Sequence, residues 1–504
     1  MKTYSDFMNE ISEDELYEGL LGYGLFSEKL PPIFTSEEFY NYTQSLAQPF
    51  NKKEHGFIFF ESMRDINIPR PLGIPHPMAY QRLCKHLADH WKDIQLHFEN
   101  QTNGQKHKIS RIHVRKQKGS KAIFKMNYKD WKVDDSPIDD ILIGKKYIVC
   151  ADISTCFPSM YTHALPWAIV GKSVAKNNRR NNQWYNQLDK RTQNLKSGET
   201  HGFIIGPHAS NVLSEIILTV VDKKLCDRGW EYIRNIDDYT CYVESYEEAQ
   251  KFLTQLTAEL REFDLPLNHK KTKIEELPLA STSHWVRRLN AVDYLAPYGE
   301  VNYKTAQGYI DAAIELMKEN NNNAAILNYA IKVLAKQKVS ENAKKYCVKT
   351  ILHLSVIYPY LIPLLEQYVF TPYNAEIDII ERFSNMIFKA SIANNSYESL
   401  IYSLYFAMRY GFQIDGLTAI SVIDKGNCLF SIVSYLYFHK YNCATELQEL
   451  KKYAKQLSSN NSDFDENWLF IYEVLSASDL IDDWKPMKKA SVTFIKSEFW
   501  EVAP

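Results

Sequence analysis

The sequence predicts an α+β domain followed by an all-α domain, and three observations support this prediction. Short β-rich segments alternate with amphipathic helices between about residues 140 and 280. From about residue 305 onward, almost only helical periodicity is present. The composition, 45% hydrophobic and 24% charged over 504 residues, is typical of a globular chain. We therefore predict one domain over residues 1–300 and an α-helical domain over residues 301–504.

The first domain is expected to contain an antiparallel sheet with helices packed on one face. Residues 145–154, KKYIVCADIS, are apolar and β-branched, as expected of a central strand. Residues 230–245 contain two short runs rich in Tyr, Ile and Val that flank Asn235 to Asp238. This pattern predicts a hairpin with its turn at those four residues.

The sequence predicts one helix before the hairpin and one helix after it. Gly206 and Pro207 precede apolar residues at helical spacing, and a proline suits the first helical turn. Ser245 and Glu248 form an S-x-x-E capping box ahead of a second apolar stripe. The resulting order is strand, helix, hairpin, helix, which suits an α+β arrangement.

The C-terminal domain carries helical apolar stripes that are interrupted at Pro359, Pro363 and Pro372. Successive helices joined by short breaks indicate a bundle or an irregular helical repeat. The segment shows no self-similarity that would fix a repeat period.

Several classes of protein are excluded by the pattern of apolar residues and cysteines. No apolar segment approaches the ~20 residues that a membrane span needs. The N terminus is polar and acidic, unlike a secretory signal. The eight cysteines include no C-x-x-C pair that would suggest zinc or redox chemistry. We therefore expect a soluble, cytoplasmic protein with reduced thiols and no membrane partner.

Basic and acidic side chains nearly balance, 59 against 61, but they are unevenly distributed. Residues 101–132 contain ten lysines and arginines and a single acid, interleaved with apolar residues. The run is typical of a strand pair that presents cations to nucleic-acid phosphates, and equally of a solvated surface. The balanced total indicates a confined phosphate-binding surface rather than a protein that coats long duplexes.

Three aspartates stand where an uncompensated carboxylate is costly. Asp152 ends the predicted central strand, and Asp237 and Asp238 lie at the hairpin tip. If the two strands are neighbours, the carboxylates repel one another unless they bind divalent metal, and Mg²⁺ favours oxygen ligands. Two such ions about 3.5–4 Å apart serve phosphoryl transfer by activating a hydroxyl and stabilising a leaving oxygen. The structural alternatives are an ordinary Asp-Asp turn and an Asp152 that caps a helix.

These motifs resemble those of the reverse transcriptases over roughly residues 60–280. ADISTCF is similar to their motif A, HGFIIGPHASNVLSEIIL to motif B, NIDDY to motif C and LPLNHKKT to motif D. Upstream, IPRPLGIPHPMAYQRL resembles a segment of the fingers. The resemblance implies reverse-transcriptase-like fingers and palm in the first domain.

The resemblance also implies a catalytic role for each matching residue. Asp152, Asp237 and Asp238 would hold two Mg²⁺ ions, with Mn²⁺ as a substitute. The backbone carbonyl of Ile153 would add a metal ligand. Lys271 would protonate the departing pyrophosphate.

Nucleotide binding is implied at four further positions. Arg70 would hold the triphosphate of a dNTP, and Phe157 would form the gate beneath its sugar. His201 and Gly202 would lie where the template and the nascent base pair are read. Motif B departs from its usual form here, because His201-Gly202 replaces Gln-Gly and Gly206-Pro207 replaces Ser-Pro.

Beyond residue 300 there is no recognisable thumb, maturase, protease or RNase H segment. Such a palm followed by a HEAT-like helical domain resembles the abortive-infection (Abi) polymerases of the AbiK type, found in bacteria and prophages. That resemblance implies template-independent DNA synthesis primed by a protein tyrosine, with a single-stranded DNA product attached to it. It further implies a homo-oligomer, trimer or hexamer, and defence against phage.

Two alternatives stay open. One is a templated RNA-directed DNA polymerase of the retron or intron type, although such enzymes normally have a basic thumb where this chain has a neutral helical domain. The other is a catalytically silent scaffold that retains the palm. Joint retention of Asp152, Asp237, Asp238, Phe157 and Lys271 argues against the scaffold.

Overall fold

A computed structural model describes residues 2–46, 49–51, 53–65, 68–117, 136–180, 182–280, 282–291 and 299–502. The strands are β1 (Phe57–Asp65), β2 (Ile68–Pro75), β3 (Tyr147–Asp152), β4 (Tyr232–Asn235), β5 (Asp238–Val243) and β6 (Lys273–Glu276).

Helices make up most of the remaining described structure. Up to residue 291 they are α1 (Tyr4–Asn9), α2 (Glu13–Leu21), α3 (Glu37–Gln44), α4 (Pro77–Asp89), α5 (Trp91–Thr102), α6 (Ile138–Ile141), α7 (Cys156–Ser159), α8 (Ala164–Val170), α9 (Lys172–Asn177), α10 (Trp184–Gln193), α11 (His208–Asp227), α12 (Tyr246–Arg261) and α13 (His284–Asn290). From residue 299 they are α14 (Tyr303–Glu319), α15 (Ala324–Leu334), α16 (Glu341–Ile357), α17 (Thr371–Tyr373), α18 (Ile377–Asn394), α19 (Tyr397–Tyr410), α20 (Ala419–Lys425), α21 (Cys428–Lys440), α22 (Ala444–Leu457), α23 (Asn461–Glu466), α24 (Trp468–Val474) and α25 (Trp484–Lys489).

Strands β3 to β6 form one antiparallel sheet in the order β4-β5-β3-β6. Strands β4 and β5 form the predicted hairpin. Strand β3 lies beside β5, with Asp152 directly opposite Asp238. The predicted α+β fold with a helical C-terminal part is confirmed.

The two faces of this sheet are covered differently, because successive side chains along a strand point to opposite faces. On one face Val149 and Cys241 belong to the main core, and α12 packs on β3 and β5. On the other face Ile233 and Tyr242 form a small separate cluster with Ile141 of α6. Helices therefore cover one face broadly, as predicted, and α6 also covers part of the second.

The two helices predicted around the hairpin are present, with differences at their first turns. Pro207 is the residue before α11 rather than part of its first turn, so the helix begins at His208. The Ser245 hydroxyl accepts a hydrogen bond from the Glu248 N–H at 3.2 Å. The Glu248 carboxylate, however, accepts from the Glu244 N–H at 2.9 Å. The capping box is therefore incomplete, because the Glu248 carboxylate binds the N–H of Glu244 and not that of Ser245.

Strands β1 and β2 form a second, two-stranded antiparallel sheet in the segment that resembles the fingers. Ile58 and Phe60 of β1 and Ile74 of β2 are buried. The Gly73 N–H donates to the Ile205 carbonyl at 2.9 Å. A Cβ at Gly73 would lie 2.6 Å from a methyl carbon of Ile204. This hairpin therefore packs directly on the loop that precedes α11.

The three prolines at which the C-terminal stripes are interrupted lie within or directly after irregular helix. A 3₁₀ helix spans Pro359–Leu364 and contains Pro363. A π-helical turn, Glu366–Phe370, precedes Pro372 in α17. Proline lacks an N–H and crowds the carbonyl four residues earlier, and a wider turn relieves that clash.

The C-terminal helices pack against the first 75 residues. Phe34 pairs with Ile495 in an isolated antiparallel bridge. Glu398 of α19 accepts hydrogen bonds from the Ser62 hydroxyl at 2.8 Å and the Met63 N–H at 2.9 Å. Buried apolar residues from both parts join one continuous core. The domain boundary near residue 300 stays a prediction.

The described part of the basic run has mostly internal contacts. Lys106 forms an ion pair with Glu231, and Lys116 pairs with Glu15. The other cations of residues 106–117 are buried: Lys108, Arg111 and Arg115. Three of the five lysines and arginines in this portion are therefore buried, whereas Lys106 is 80% exposed, and a phosphate-binding surface along the run stays a prediction. Residues 118–132 of the run lie outside the described residues.

Within the described part of the chain, no helix has the length and apolar character required to cross a membrane. All eight cysteines are unpaired.

Candidate active site

The three aspartates singled out from the sequence meet at one edge of the central sheet. Asp152 is the last residue of β3 and lies opposite Asp238, the first residue of β5. The Ile153 N–H donates to the Asp237 carbonyl at 3.1 Å, so the turn is tied to the end of β3. Asp152 is only 5% exposed. The hydrogen-bonding register of two neighbouring strands thus brings the carboxylates together.

Electrostatics at this edge favour a cation. Burial raises the pKa of Asp237, and the charge of Asp152 raises it further. Burial, Asp237 and Asp152 together raise the pKa of Asp238 to about 6. Carboxylates that are buried and close to one another are stabilised in their charged form by a neighbouring positive charge. A cation bound between the aspartates would therefore stabilise their charged forms.

Lys271 and Asn268 both contact Asp152. The Lys271 ammonium donates to one carboxylate oxygen at 2.8 Å, and the Asn268 amide donates to the other at 3.0 Å. The Asn268 N–H also donates to the Asp152 carbonyl at 2.7 Å. Lys271 thus lies beside the aspartates. Asn268 was not predicted, although its place three residues before Lys271 in LPLNHKKT was a usable signal.

Arg70 of β2 is exposed and lies within electrostatic reach of Asp237. Desolvation and the neighbouring Arg64 lower the pKa of Arg70, whereas Asp237 raises it. Arginine remains charged throughout the physiological range. The guanidinium is therefore available to an anionic group that enters between the β1–β2 hairpin and the aspartates.

Phe157 and the motif B loop are joined to each other by main-chain hydrogen bonds. The Phe203 N–H donates to the Phe157 carbonyl at 2.8 Å, and the Gly202 N–H donates to the Met160 carbonyl at 2.9 Å. His201 is exposed and pairs with Tyr161 in an antiparallel bridge. The main chain thereby fixes Phe157, His201 and Gly202 relative to one another.

Only glycine fits at position 202. Its φ is +85°, and a Cβ there would lie 2.9 Å from the Pro158 carbonyl oxygen. A left-handed conformation costs an L-residue roughly 1–2 kcal/mol, and the contact with Pro158 adds to that cost.

We expect Gly202→Ala to destabilise the protein by more than this conformational cost and to reduce nucleotide incorporation, because the clash displaces the loop from Phe157. Chemical denaturation and an incorporation assay measure both effects. Gly229→Ala is the matched control, since Gly229 has the same φ of +85° and no atom within 4 Å of the added Cβ. Equal costs for the two variants would contradict the clash.

The turn that carries Asp237 is conformationally strained. Ile236, the first of its two central residues, has φ +58°. Two-residue hairpin turns with positive φ at this position prefer glycine, and a branched residue there costs about 1–3 kcal/mol. The Ile236 carbonyl accepts a hydrogen bond from Arg234 at 2.9 Å. The Arg234 side chain thus stabilises the strained conformation of Ile236 through this hydrogen bond.

Arg234 is the centre of a buried ion network under the turn. Its side chain is 0% exposed, and its guanidinium nitrogens lie 2.7 Å from Glu215 and 2.7 Å from Asp222 of α11. Tyr4 donates to Glu215 at 2.9 Å, and Tyr232 donates to Asp222 at 2.8 Å. The sequence analysis missed this network. Charged residues on the otherwise apolar stripe of α11 were the available signal.

A hard divalent cation fits the aspartate cluster. Its donors are carboxylate oxygens, the ligands that Mg²⁺ prefers, and their charges are only partly balanced by Lys271. Asp152, Asp237 and Asp238 would hold the ion. The Ile153 main chain is adjacent through its bond to Asp237.

Residues 69–303 match the sequence profile of the family described as reverse transcriptase (RNA-dependent DNA polymerase). No curated protein sequence matches the chain. Among solved structures, apo telomerase from Candida tropicalis truncated from its C-terminal domain is 14% identical with a TM-score of 0.30, over 49% of this chain and 55% of that chain.

Two other telomerase structures were also found. Apo telomerase from Candida tropicalis is 12% identical with a TM-score of 0.31, over 77% of this chain and 70% of that chain. Telomerase from Candida albicans, in complex with a fragment of telomeric RNA, is 11% identical with a TM-score of 0.27, over 70% and 64%. The chain thus spans little more than half the length of the truncated telomerase.

Proposed function

We propose that this chain, whose residues 69–303 match the reverse-transcriptase profile, is a nucleotidyltransferase and specifically a DNA polymerase that uses dNTPs. The observation that carries the proposal is the meeting of Asp152, Asp237 and Asp238 at the β3–β5 edge beside Lys271. In this reaction a hydroxyl attacks the α-phosphate of a dNTP and pyrophosphate leaves.

Each residue of the site has a distinct part in this proposal. Asp152, Asp237 and Asp238, with the carbonyl of Ile153, hold two Mg²⁺ ions, or Mn²⁺, which neutralise charge on the attacking and leaving oxygens. Lys271 releases Asp152 and donates a proton to the pyrophosphate.

The remaining site residues orient the nucleotide. Arg70 binds the triphosphate through its guanidinium, which suits planar phosphate recognition. Phe157 lies under the sugar, while His201 and Gly202 line the position of the nascent base pair. Positioning and charge neutralisation provide most of the catalysis in reactions of this class.

The mode of synthesis follows from resemblance to the Abi polymerases. In this proposal the chain extends DNA without a template from a tyrosine of its own and acts in abortive-infection defence as a homo-oligomer, trimer or hexamer. Motif B supports the untemplated mode, because His201 replaces the glutamine usual where the template is read. In this proposal residues 1–300 form the polymerase domain and residues 301–504 form a HEAT-like domain. The gene for the protein is proposed to derive from a prophage.

Incubation of the purified protein with labelled dNTPs, Mg²⁺ and no template tests this mode. We expect labelled single-stranded DNA that stays on the protein through denaturation and leaves a tyrosine adduct after protease digestion. Peptide mass spectrometry then identifies the tyrosine. Product that requires an added template and carries a free 5′ end would instead favour a templated polymerase of the retron or intron type.

Phe157 gives a prediction about sugar selection. We expect Phe157→Ala to raise incorporation of rNTPs relative to dNTPs, because in this proposal the ring would collide with a ribose 2′-hydroxyl. The measurement is the ratio of kcat/KM for a matched dNTP and rNTP. Phe157→Leu is the control, since it retains side-chain bulk; a wild-type enzyme that already uses both nucleotides equally would refute the gate.

A further inference from the structure

Two histidines at the base of the β1–β2 hairpin meet an aspartate from α23. His55 precedes β1 and His76 follows β2, so the antiparallel pairing of the hairpin brings them side by side. Their rings are stacked, with centroids 3.7 Å apart. Asp465 reaches them from a position 410 residues after His55. The cluster lies apart from the aspartates of the candidate active site in sequence and shares no residue with them.

The distances in this cluster approach those of a metal site. Asp465 Oδ1 lies 3.2 Å from His55 Nδ1 and 3.9 Å from His76 Nε2. One ligand atom of each residue lies within 4.8 Å of the other two. Ligands bound tetrahedrally at the usual Zn–N and Zn–O lengths are about 3.3 Å apart. The His55–Asp465 pair is already at that separation, whereas the His76–Asp465 pair, at 3.9 Å, would have to shorten for one ion to bind all three residues.

The surroundings orient the aspartate and bury one histidine. The Gly56 N–H donates to Asp465 Oδ2 at 2.8 Å, which leaves Oδ1 toward the imidazoles. A Cβ on Gly56 would lie 3.2 Å from Asp465 Cβ, so a side chain there would crowd the aspartate. Hydrogen bonds of this kind commonly fix the ligands of metal sites.

His76 is 1% exposed and packs edge-on against Trp484 at 5.0 Å. Its Nδ1 has no hydrogen-bond partner among the described residues. Buried polar atoms are nearly always hydrogen-bonded, so His76 lacks the hydrogen bond that usually fixes a buried imidazole. Its other ring nitrogen, Nε2, is the one that faces Asp465.

We propose that His55, His76 and Asp465 bind a transition-metal ion of the Zn²⁺ type, with water as the fourth ligand, and that the ion fastens the β1–β2 hairpin to α23. Two imidazoles and one carboxylate suit zinc, whereas Mg²⁺ prefers oxygen ligands throughout. The site is structural and separate from the Mg²⁺ chemistry of the aspartates. Without metal, the same residues form a stacked histidine pair with one hydrogen bond to Asp465.

The test is a Zn²⁺ titration of the full-length, chelator-stripped protein against a chromophoric chelator in excess Mg²⁺, which occupies the oxygen-ligand sites. We expect one tightly bound Zn²⁺ per chain and a rise in the thermal unfolding temperature on its addition. His55→Gln and Asp465→Asn should weaken binding by at least about 100-fold, since even the loss of a hydrogen-bond partner to a ligand costs 10–100-fold.

Two controls isolate the site. His90→Gln alters a histidine that contacts Asp93 at 3.0 Å outside the cluster, and it should leave Zn²⁺ binding unchanged. Asp152→Asn should also leave binding unchanged, which separates the proposal from the candidate active site. Wild-type protein substituted with Co²⁺ should show the intense visible bands of a tetrahedral site, a measurement that does not depend on any variant folding.

The proposal is overturned if wild-type protein fails to bind one Zn²⁺ or lacks the Co²⁺ bands. It is equally overturned if folded His55→Gln and Asp465→Asn retain full binding, or if Asp152→Asn abolishes it.

Discussion

Asp237→Asn is expected to reduce dNTP incorporation by about 10³-fold or more while the protein stays folded. The substitution removes a carboxylate donor from the cluster at the β3–β5 edge. It also removes one of three mutually repelling carboxylates, and the raised pKa of Asp237 reflects that its charge is unfavourable there. We therefore expect the unfolding temperature to stay unchanged or to rise.

An incorporation assay with labelled dNTP and Mg²⁺ measures the loss of activity, and thermal unfolding of the same variant measures its stability. Asp152→Asn should lose activity similarly but gain less stability, because Asp152 also pairs with Lys271 at 2.8 Å. Asp140→Asn, in the exposed part of α6, is the matched control and should leave both measurements unchanged. Near-normal incorporation by Asp237→Asn would refute the assignment of the active site.

Arg234→Met is expected to lower the free energy of unfolding by about 3–5 kcal/mol, because it leaves Glu215 and Asp222 buried without their cation. It also removes the hydrogen bond that holds the Ile236 carbonyl of the strained turn. Activity should therefore fall even under conditions where the variant remains folded. Chemical denaturation, together with incorporation at low temperature, measures the two effects.

Arg409→Met is the matched control for that loss. Arg409 pairs with Glu366 at 3.2 Å but is 53% exposed, and exposed ion pairs contribute only about 0–1 kcal/mol. A triple variant that also carries Glu215→Gln and Asp222→Asn should recover part of the stability, since the uncompensated charges are gone. A cost for Arg234→Met no larger than that of Arg409→Met would contradict the role of the network.

Local patterns predicted the elements that carry the aspartates. The apolar, β-branched segment ending at Asp152 became β3, and the runs flanking Asn235 to Asp238 became the β4–β5 hairpin. Both depend on side-chain type and turn chemistry over a few residues, which a sequence displays directly. The sequence left the pairing of these strands as a condition for the carboxylate cluster, and the pairing of β3 with β5 meets that condition.

The sequence did not assign roles to other residues, because those roles depend on contacts between distant segments. Asn268 and Arg234 acquire their roles only from the partners that the fold brings to them. The basic run likewise displayed its charges but not their partners, since Lys106 and Lys116 form ion pairs with Glu231 and Glu15 from other parts of the chain.

By itself, the sequence determined the α+β class, the helical C-terminal part and the identity of the aspartates, because these follow from periodicity and residue chemistry along the chain. Only the tertiary structure decided what supports and surrounds them. Arg234 is needed beneath the turn because Glu215 and Asp222 are buried there and require a cation. The approach of Asp465 to His55 and His76 joins segments 410 residues apart. Such juxtapositions are set by packing of the whole core, and no local pattern encodes them.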